Sequence, residues 1–462
     1  MKIIIFGMGE IYKKNKALIS PNDEVIAFID NNQQLQGTKC DGTAVYSPSD
    51  ISCLMHDKII IMSACFIEMR DQLVQMGYER SRILHYTEYI SQQSAGKLCV
   101  YYGKNFRQRK KRCLFMTSSM GYHGGAIVAV YAAQALQNKG YEVVVASPDE
   151  DQTFIEEFSR SGIAFVVYPN LQFAKWNELF WITGFDTIIA NTFSMWLCAL
   201  EIGRHRQVTV WLHESDIAYP GMDFWKDIIL ENISMPGLSV YAVSRVAREN
   251  FFRNVGKREV GVLPYGIPDV KKEMGRNTGK LTFAVIGTIQ PIKEQLLFLS
   301  AARILSKTNP DCTFLIIGGH RECDADYVSE VKKEAEMIPG VCMAGELTRA
   351  ELERAYCHID IVVVPSSQEA MSLVATEAMM YGKVCILSSI AGMAEYVRQG
   401  ENGLVFRSND LDGLVKQMAY CIMNRDCLQG IGEEARATYE RYFTMEGFSE
   451  RLDQIIGISE AG

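Results

Sequence analysis

Two glutamates eight residues apart, Glu369 and Glu377, lie in the segment PSSQEAMSLVATEAMMYGK (365–383), directly after the apolar run IDIVVVP (359–365). A run of that kind reads as a buried parallel strand. Pro365 ends it, Ser366 and Ser367 make a turn, and a helix begins near Met371. Glu369 then stands in the loop before the helix, and Glu377 lies on it near the N-terminal end. The unpaired backbone N–H groups of Ala370, Met371, Ser372 and Leu373 would form an anion site suited to a diphosphate. Glu369 would lie close to whatever the phosphate carries, and Glu377 could accept from ribose hydroxyls. The same residues also read as an ordinary helix start whose acidic side chains favour its dipole, and spacing alone leaves both readings open.

Other residues could take part. Lys293 sits in VIGTIQPIKEQLLFLSAARIL (285–305), and Gly124 and Gly125 open the apolar stretch after MGYH (120–123). His213 ends the strand-like run VTVWLH (208–213) and is followed by Glu214. His123 and His320 flank glycine pairs and are weaker candidates. Asp-x-Asp occurs at Asp149/Asp151, Asp324/Asp326 and Asp410/Asp412, each at a helix start or in a polar loop, where capping is the simpler explanation. No metal and no other cofactor is expected, and neither a Ser/His/Asp arrangement nor a zinc spacing is visible.

The elements that must position these residues are α/β throughout. A chain of 462 residues holds several domains. Residues 1–98 read as a small Rossmann-like accessory module, with a strand, the turn Gly7-Met8-Gly9, and a second strand ending at Asp30. A dinucleotide fingerprint would need glycine at position 12, where Tyr12 stands, so a scaffold or regulatory role is preferred to nucleotide binding. Residues 99–112 read as a basic linker, since KNFRQRKKR (104–112) has no acidic residue. Residues 113–265 and 266–440 alternate apolar runs with helix-period segments, the signature of parallel sheets covered by helices. The glycine- and proline-bearing segment 263–280 is the hinge between them. Helical stretches at 410–424, 428–440 and 445–456 cannot extend a parallel sheet, and the segment 441–462 should complete the first of the two large domains. Ligands in such sheets bind at the carboxyl ends of the strands.

The ordered set of motifs resembles the retaining nucleotide-sugar glycosyltransferases of family 4, over about residues 113–456. Pro-Ser, two glutamates eight apart, Ala-Met and a glycine look like that family's signature. The resemblance implies a GT-B fold, two Rossmann-like domains facing a cleft, here with the N-terminal module added. It implies that Gly124 and Gly125 allow close approach of the donor phosphates, that Lys293 is the diphosphate cation, and that Glu377 binds the ribose. Ala370, Met371, Ser372 and Leu373 would complete the donor site. Glu369 would orient the donor sugar, and His213 would be the acceptor-side histidine. Family members usually carry arginine where Thr288 follows Gly287, and glycines where Ala370 and Ser372 stand. These departures are the best support for an alternative, a non-catalytic glycosyltransferase-like subunit that binds a partner enzyme, against which the intact Glu369, Glu377, Lys293 and His213 argue; a nicotinamide enzyme run by the N-terminal module is disfavoured by Tyr12.

A nucleotide-sugar donor and a glycan, glycolipid or protein-linked acceptor are the implied partners. With 47 basic against 55 acidic residues, a net charge of −8 gives no attraction for nucleic acid. The 13 cysteines lack any Cys-x-x-Cys pair and read as reduced core thiols of a cytoplasmic protein. No run approaches the ~18 apolar residues that span a bilayer. Peripheral contact with an anionic membrane through 104–112 is open, as is the role of the aromatic stretch FAKWNELFWITGF (173–185), and oligomeric state is not legible.

Overall fold

The computed structural model describes residues 1–63, 65–93, 98–219, 226–256, 258–270, 279–320 and 324–460. Three sheets divide the chain. The first has the order Lys39–Cys40, Thr43–Tyr46, Glu24–Ile29, Lys2–Phe6, Lys58–Ile61, Ile83–His85. All its neighbours are parallel except the first pair. Its central strand reads KIIIF because both faces are covered, and Ile3 to Phe6 are wholly buried.

The second sheet has eight strands in the order Gly261–Val262, Leu238–Ala242, Val208–Leu212, Thr187–Asn191, Lys111–Thr117, Tyr141–Ser147, Ala164–Val167, Cys99–Tyr101. Only the last pair is antiparallel. The third sheet is parallel throughout, ordered Val341–Gly345, Cys312–Ile317, Leu281–Ile286, Ile361–Val364, Val384–Ser388, Leu404–Phe406.

The segment 99–112 is not a free linker. Cys99–Tyr101 closes the edge of the second sheet against Ala164–Val167, and the next strand already begins at Lys111. Arg112 explains why: its Nε donates to Glu142 at 2.7 Å, its amide donates to Asp186 at 2.7 Å, and its guanidinium covers the Phe185 ring. A basic charge that finds a carboxylate and an aromatic face at the sheet edge is worth more there than in solvent. The aromatic stretch 173–185 is mostly core. Phe173, Leu179, Ile182 and Phe185 are buried, whereas Phe180 is 74% exposed.

The chain crosses to the third sheet through Tyr265 and Ile267, both buried; residues 271–278 of the expected hinge lie outside the described residues. Helix Met445–Glu460 returns to the second sheet. Its Phe448 packs on Trp211, and Ser449 Oγ donates to the carbonyl of Ala135 at 2.9 Å on helix Gly124–Asn138. The last three helices are Leu411–Met423, Leu428–Tyr442 and Met445–Glu460. Among the described residues, no helix is long and apolar enough to cross a membrane.

Candidate active site in the interdomain cleft

The carboxyl edges of the two large sheets face each other. Ser244, just after strand Leu238–Ala242, donates its hydroxyl to the carbonyl of Ala370, in the loop after strand Ile361–Val364. The same hydroxyl accepts from the Ala247 amide at 3.0 Å and so caps helix Arg245–Asn254. One side chain therefore ends a helix in one domain and holds the glutamate loop of the other.

That loop is fixed from three sides. The Ser367 amide donates to the Ile292 carbonyl at 3.0 Å, and the Gly392 amide donates to the Glu369 carbonyl at 3.0 Å. A Cβ on Gly392 would lie 2.0 Å from the Ala370 oxygen and 2.8 Å from Ser244 Oγ, so only glycine permits this approach. The result is that Lys293 Nζ bonds Glu369 Oε2, with the Ser366 hydroxyl 3.4 Å from the same oxygen. Both charged side chains remain partly open to the cleft. Lys293 reaches this place because Pro291–Lys293 is a tight helical turn closed by Glu294 at φ 54°.

The helix starts at Leu373, two residues later than its sequence suggests, because Ser372 is its cap: Ser372 Oγ accepts from the Ala375 amide at 3.2 Å. Among the described residues, the amides of Ala370, Met371, Ser372 and Leu373 donate to no protein acceptor. They stand at the positive end of an eight-residue helix next to Lys293 and Glu369. Ala370, Met371 and Ser372 are themselves buried.

Glu377 lies apart from that pair. It is 2% exposed, and its two oxygens are taken by Arg349 Nη1 and by the Tyr356 hydroxyl at 3.2 Å. Arg349 also approaches Glu353 at 3.6 Å, and its charge reaches Tyr131 on the opposite domain. Each oxygen keeps a further lone pair beyond the partner it has, so the expected bond to a ribose hydroxyl would be added to this pairing. Thr288 follows Gly287, which adopts φ 138°, and its carbonyl accepts from Gln295 Nε2 at 3.0 Å. Gly318 explains the neighbouring turn, since a Cβ there would meet the Gly287 oxygen at 1.9 Å.

On the facing side, Gly124 and Gly125 begin helix Gly124–Asn138, with His123 as the cap. Gly124 opens on empty space, and a Cβ on Gly125 would be 3.4 Å from Thr192 Cγ2. His213 follows strand Val208–Leu212 with its ring edge-on to Trp211. Its Nε2 is shielded and has no partner among the described residues. Burial, assisted by the charge of His123, pushes its pKa down to about 3, so the ring is neutral at physiological pH. Glu214 accepts from the amides of Phe193 at 2.7 Å and His213 at 2.8 Å, yet burial pushes its carboxyl up to about 7. These bonds fasten the end of one strand to the next, where Thr192 is held at φ 86°. His320 bridges to Ile289 at the rim, beside the Gly287 turn.

Of the paired aspartates, Asp151 and Asp410 cap helices through the amides of Phe154 and Gly413, and Asp149 accepts from the Met120 amide at 2.8 Å. Asp324 precedes its helix without a side-chain cap bond. Arg349, Ser244 and Gly392 escape a sequence reading, and Glu214 enters it only as the residue after His213. Ser244 carried a detectable signal, a serine between a strand run and a helix-period segment; the other three acquire their roles only from long-range contacts.

The fold and cleft define the GT-B class, two Rossmann-like domains meeting at their carboxyl edges. Within it, residues 267–438 match the family described as Glycosyl transferases group 1, and residues 1–84 match the family described as C2185-like, N-terminal. The chain is similar to a D-inositol 3-phosphate glycosyltransferase of Nocardia farcinica, 28% identical over 39% of this chain and 42% of that protein. It is also 27% identical to a lipopolysaccharide 1,2-N-acetylglucosaminetransferase of Salmonella typhimurium, over 36% of this chain and 46% of that one. The chain thus spans less than half the length of these relatives. Among solved structures, Anabaena Alr3699/HepE in complex with UDP and glucose superposes with a TM-score of 0.63 at 17% identity, covering 76% of this chain and all of that one.

Proposed function

We propose that this chain is a metal-independent, retaining glycosyltransferase that moves a sugar from a nucleoside-diphosphate sugar to a hydroxyl of a glycan, glycolipid or protein-linked acceptor. One observation carries the reading: Lys293 and Glu369 meet beside four unengaged amides at the start of helix Leu373–Met380. A diphosphate seated on those amides would draw Lys293 towards itself and release Glu369 to accept from hydroxyls of the transferred sugar.

The bond from the sugar's anomeric carbon to the diphosphate oxygen breaks as the acceptor oxygen bonds to that carbon on the same face. The acceptor's proton passes to the departing phosphate oxygen. Lys293 and the helix amides stabilise the charge that develops on the diphosphate, and neutral His213 offers its unpartnered Nε2 on the acceptor side. In this reading the enzyme works in the cytoplasm, at the inner face of the membrane where its acceptor is lipid-linked. The relatives' names, one acting on an inositol phosphate and one on lipopolysaccharide, support sugar transfer to a hydroxyl-bearing acceptor.

The test is a thermal-shift and calorimetric screen against UDP, GDP, ADP, dTDP and CMP and their common sugars without metal. A saturable shift for one diphosphate, lost in Lys293→Ala, supports the reading. Silence towards all of them overturns it and favours a partner-binding subunit.

A further inference from the structure

The N-terminal module contains a cavity that the proposed transfer reaction does not use. From its central strand Lys2–Phe6 the chain builds outward through Glu24–Ile29 to Thr43–Tyr46, then returns to place Lys58–Ile61 on the other side. The direction reverses between Lys2–Phe6 and Lys58–Ile61, and the crevice beyond the carboxyl ends of such strands is where open parallel sheets bind ligands. Here that crevice is a cavity of about 570 Å³, the size of a small-molecule site.

Its walls state what it would accept. Gly7 turns the chain at φ 95°, with Met62 and Ser63 so close that a side chain there would crowd them, while among the described residues no atom lies within 4 Å of a would-be Cβ on Gly9. The loop between them lies open to a ligand. Asp30 holds the loop, its Oδ2 3.4 Å from the Met8 amide and its Oδ1 accepting from Asn32 at 2.8 Å. Among the described lining residues there is no lysine or arginine, but there are three carboxylates, Glu10, Asp30 and Glu68. The helix after the loop has only six residues and begins on Glu10. Tyr12, at the place of a third glycine, is buried and bonded to Asp41 at 2.7 Å. A phosphate would meet negative charge without a cation, whereas hydroxyls would find acceptors. Met8, Met62 and Met69 give the same cavity an apolar, polarisable wall fit for a flat ring.

We infer that this crevice is a second small-molecule site, separate from the interdomain cleft, and that it takes a nucleoside without phosphate. The ribose diol bonds Asp30, and the base lies on the methionines. The module selects against the diphosphates that the cleft is proposed to bind, so the two sites do not compete for one ligand.

The experiment is saturation-transfer NMR and calorimetry on the full chain with adenosine, guanosine, cytidine and uridine, each against its diphosphate, up to about 10 mM. In the Lys293→Ala background, at least one nucleoside is expected to bind saturably, and about tenfold more tightly than its diphosphate. Asp30→Asn should weaken it about tenfold. Gly9→Leu, whose Cβ enters open space, should abolish it while leaving the melting temperature unchanged. The inference is overturned if no nucleoside saturates, if the diphosphate binds more tightly in that background, or if Gly9→Leu leaves binding intact. Failure of the cleft reading, seen as no diphosphate shift in the unmodified chain, would leave these outcomes unaffected.

Discussion

Two glutamates eight residues apart have opposite surroundings, and this separates their roles. Glu369 faces the cleft with Lys293 as its partner, whereas Glu377 is buried between Arg349 and Tyr356. Glu377→Ala would leave Arg349 with only the more distant Glu353 and remove the acceptor of the Tyr356 hydroxyl, and should cost about 1–3 kcal/mol in urea unfolding. Glu369→Ala should change stability by less than about 1 kcal/mol and act on turnover instead. Equal losses of stability in the two variants would contradict this division. Glu214 adds a pH effect. Its folded-state pKa of about 7 lies above the 4.5 of an ordinary glutamate, so the native state holds the proton more tightly. Its contribution to stability is full below pH 4.5 and is lost as pH rises towards 7. His213 acts with the opposite sign: its pKa is depressed from 6.5 to about 3, and stability is lost as pH falls through that window. Comparing chemical unfolding of the unmodified chain with Glu214→Gln between pH 4.5 and 7 isolates the first effect, at most about 3 kcal/mol. A variant with the same pH slope as its parent would refute it.

At the scale of elements, the glutamate loop owes its shape to contacts from residues far away in sequence. The loop and its helix are legible from IDIVVVP and the following Pro-Ser because a buried strand and its breaker are local signals. Helix Leu373–Met380 begins two residues late because the Ser372 hydroxyl competes for the cap, a contest that apolar periodicity does not register. The pairing of Arg349 with the buried Glu377 spans 28 residues, and Ser244 reaches Ala370 across 126, so neither leaves a periodic trace. The segment 99–112 misleads for the same reason: its charges suggest solvent, but Glu142 and Asp186 wait at the sheet edge. Gly392 tests how strictly the loop is held. Gly392→Ala puts a methyl 2.0 Å from the Ala370 oxygen and must move the loop that carries Glu369. A displacement of that order should lower turnover about a hundredfold, measured as sugar transfer or donor hydrolysis. Ser244→Ala removes one bond without a clash, and its effect should be several-fold smaller. Normal turnover in Gly392→Ala would mean that the loop's position does not matter to the reaction.

For the whole molecule, the boundaries suggested by charge and composition differ from those drawn by the sheets. Cutting at residue 113, where the basic run ends, would strip Cys99–Tyr101 from the edge of the second sheet and remove Arg112 from Glu142, leaving a buried carboxylate without its cation. Cutting at residue 98 leaves that sheet complete and removes only the N-terminal module, whose helix Tyr86–Gln93 touches the turn Leu171–Phe173. A chain beginning at residue 98 should therefore unfold cooperatively and keep diphosphate binding, whereas one beginning at 113 should lose about 3 kcal/mol or more and aggregate. The far end obeys the same logic. Phe448, Leu452 and Ile456 on helix Met445–Glu460 are buried against the second sheet's domain, so the protein closes on itself only when its last helix returns. Phe448→Ala should cost about 3–5 kcal/mol by leaving a cavity beside Trp211. Calorimetric scans read both comparisons. If the chain beginning at 113 matched the one beginning at 98 in melting temperature, the edge strand would be dispensable, and 99–112 would be the linker its composition suggests.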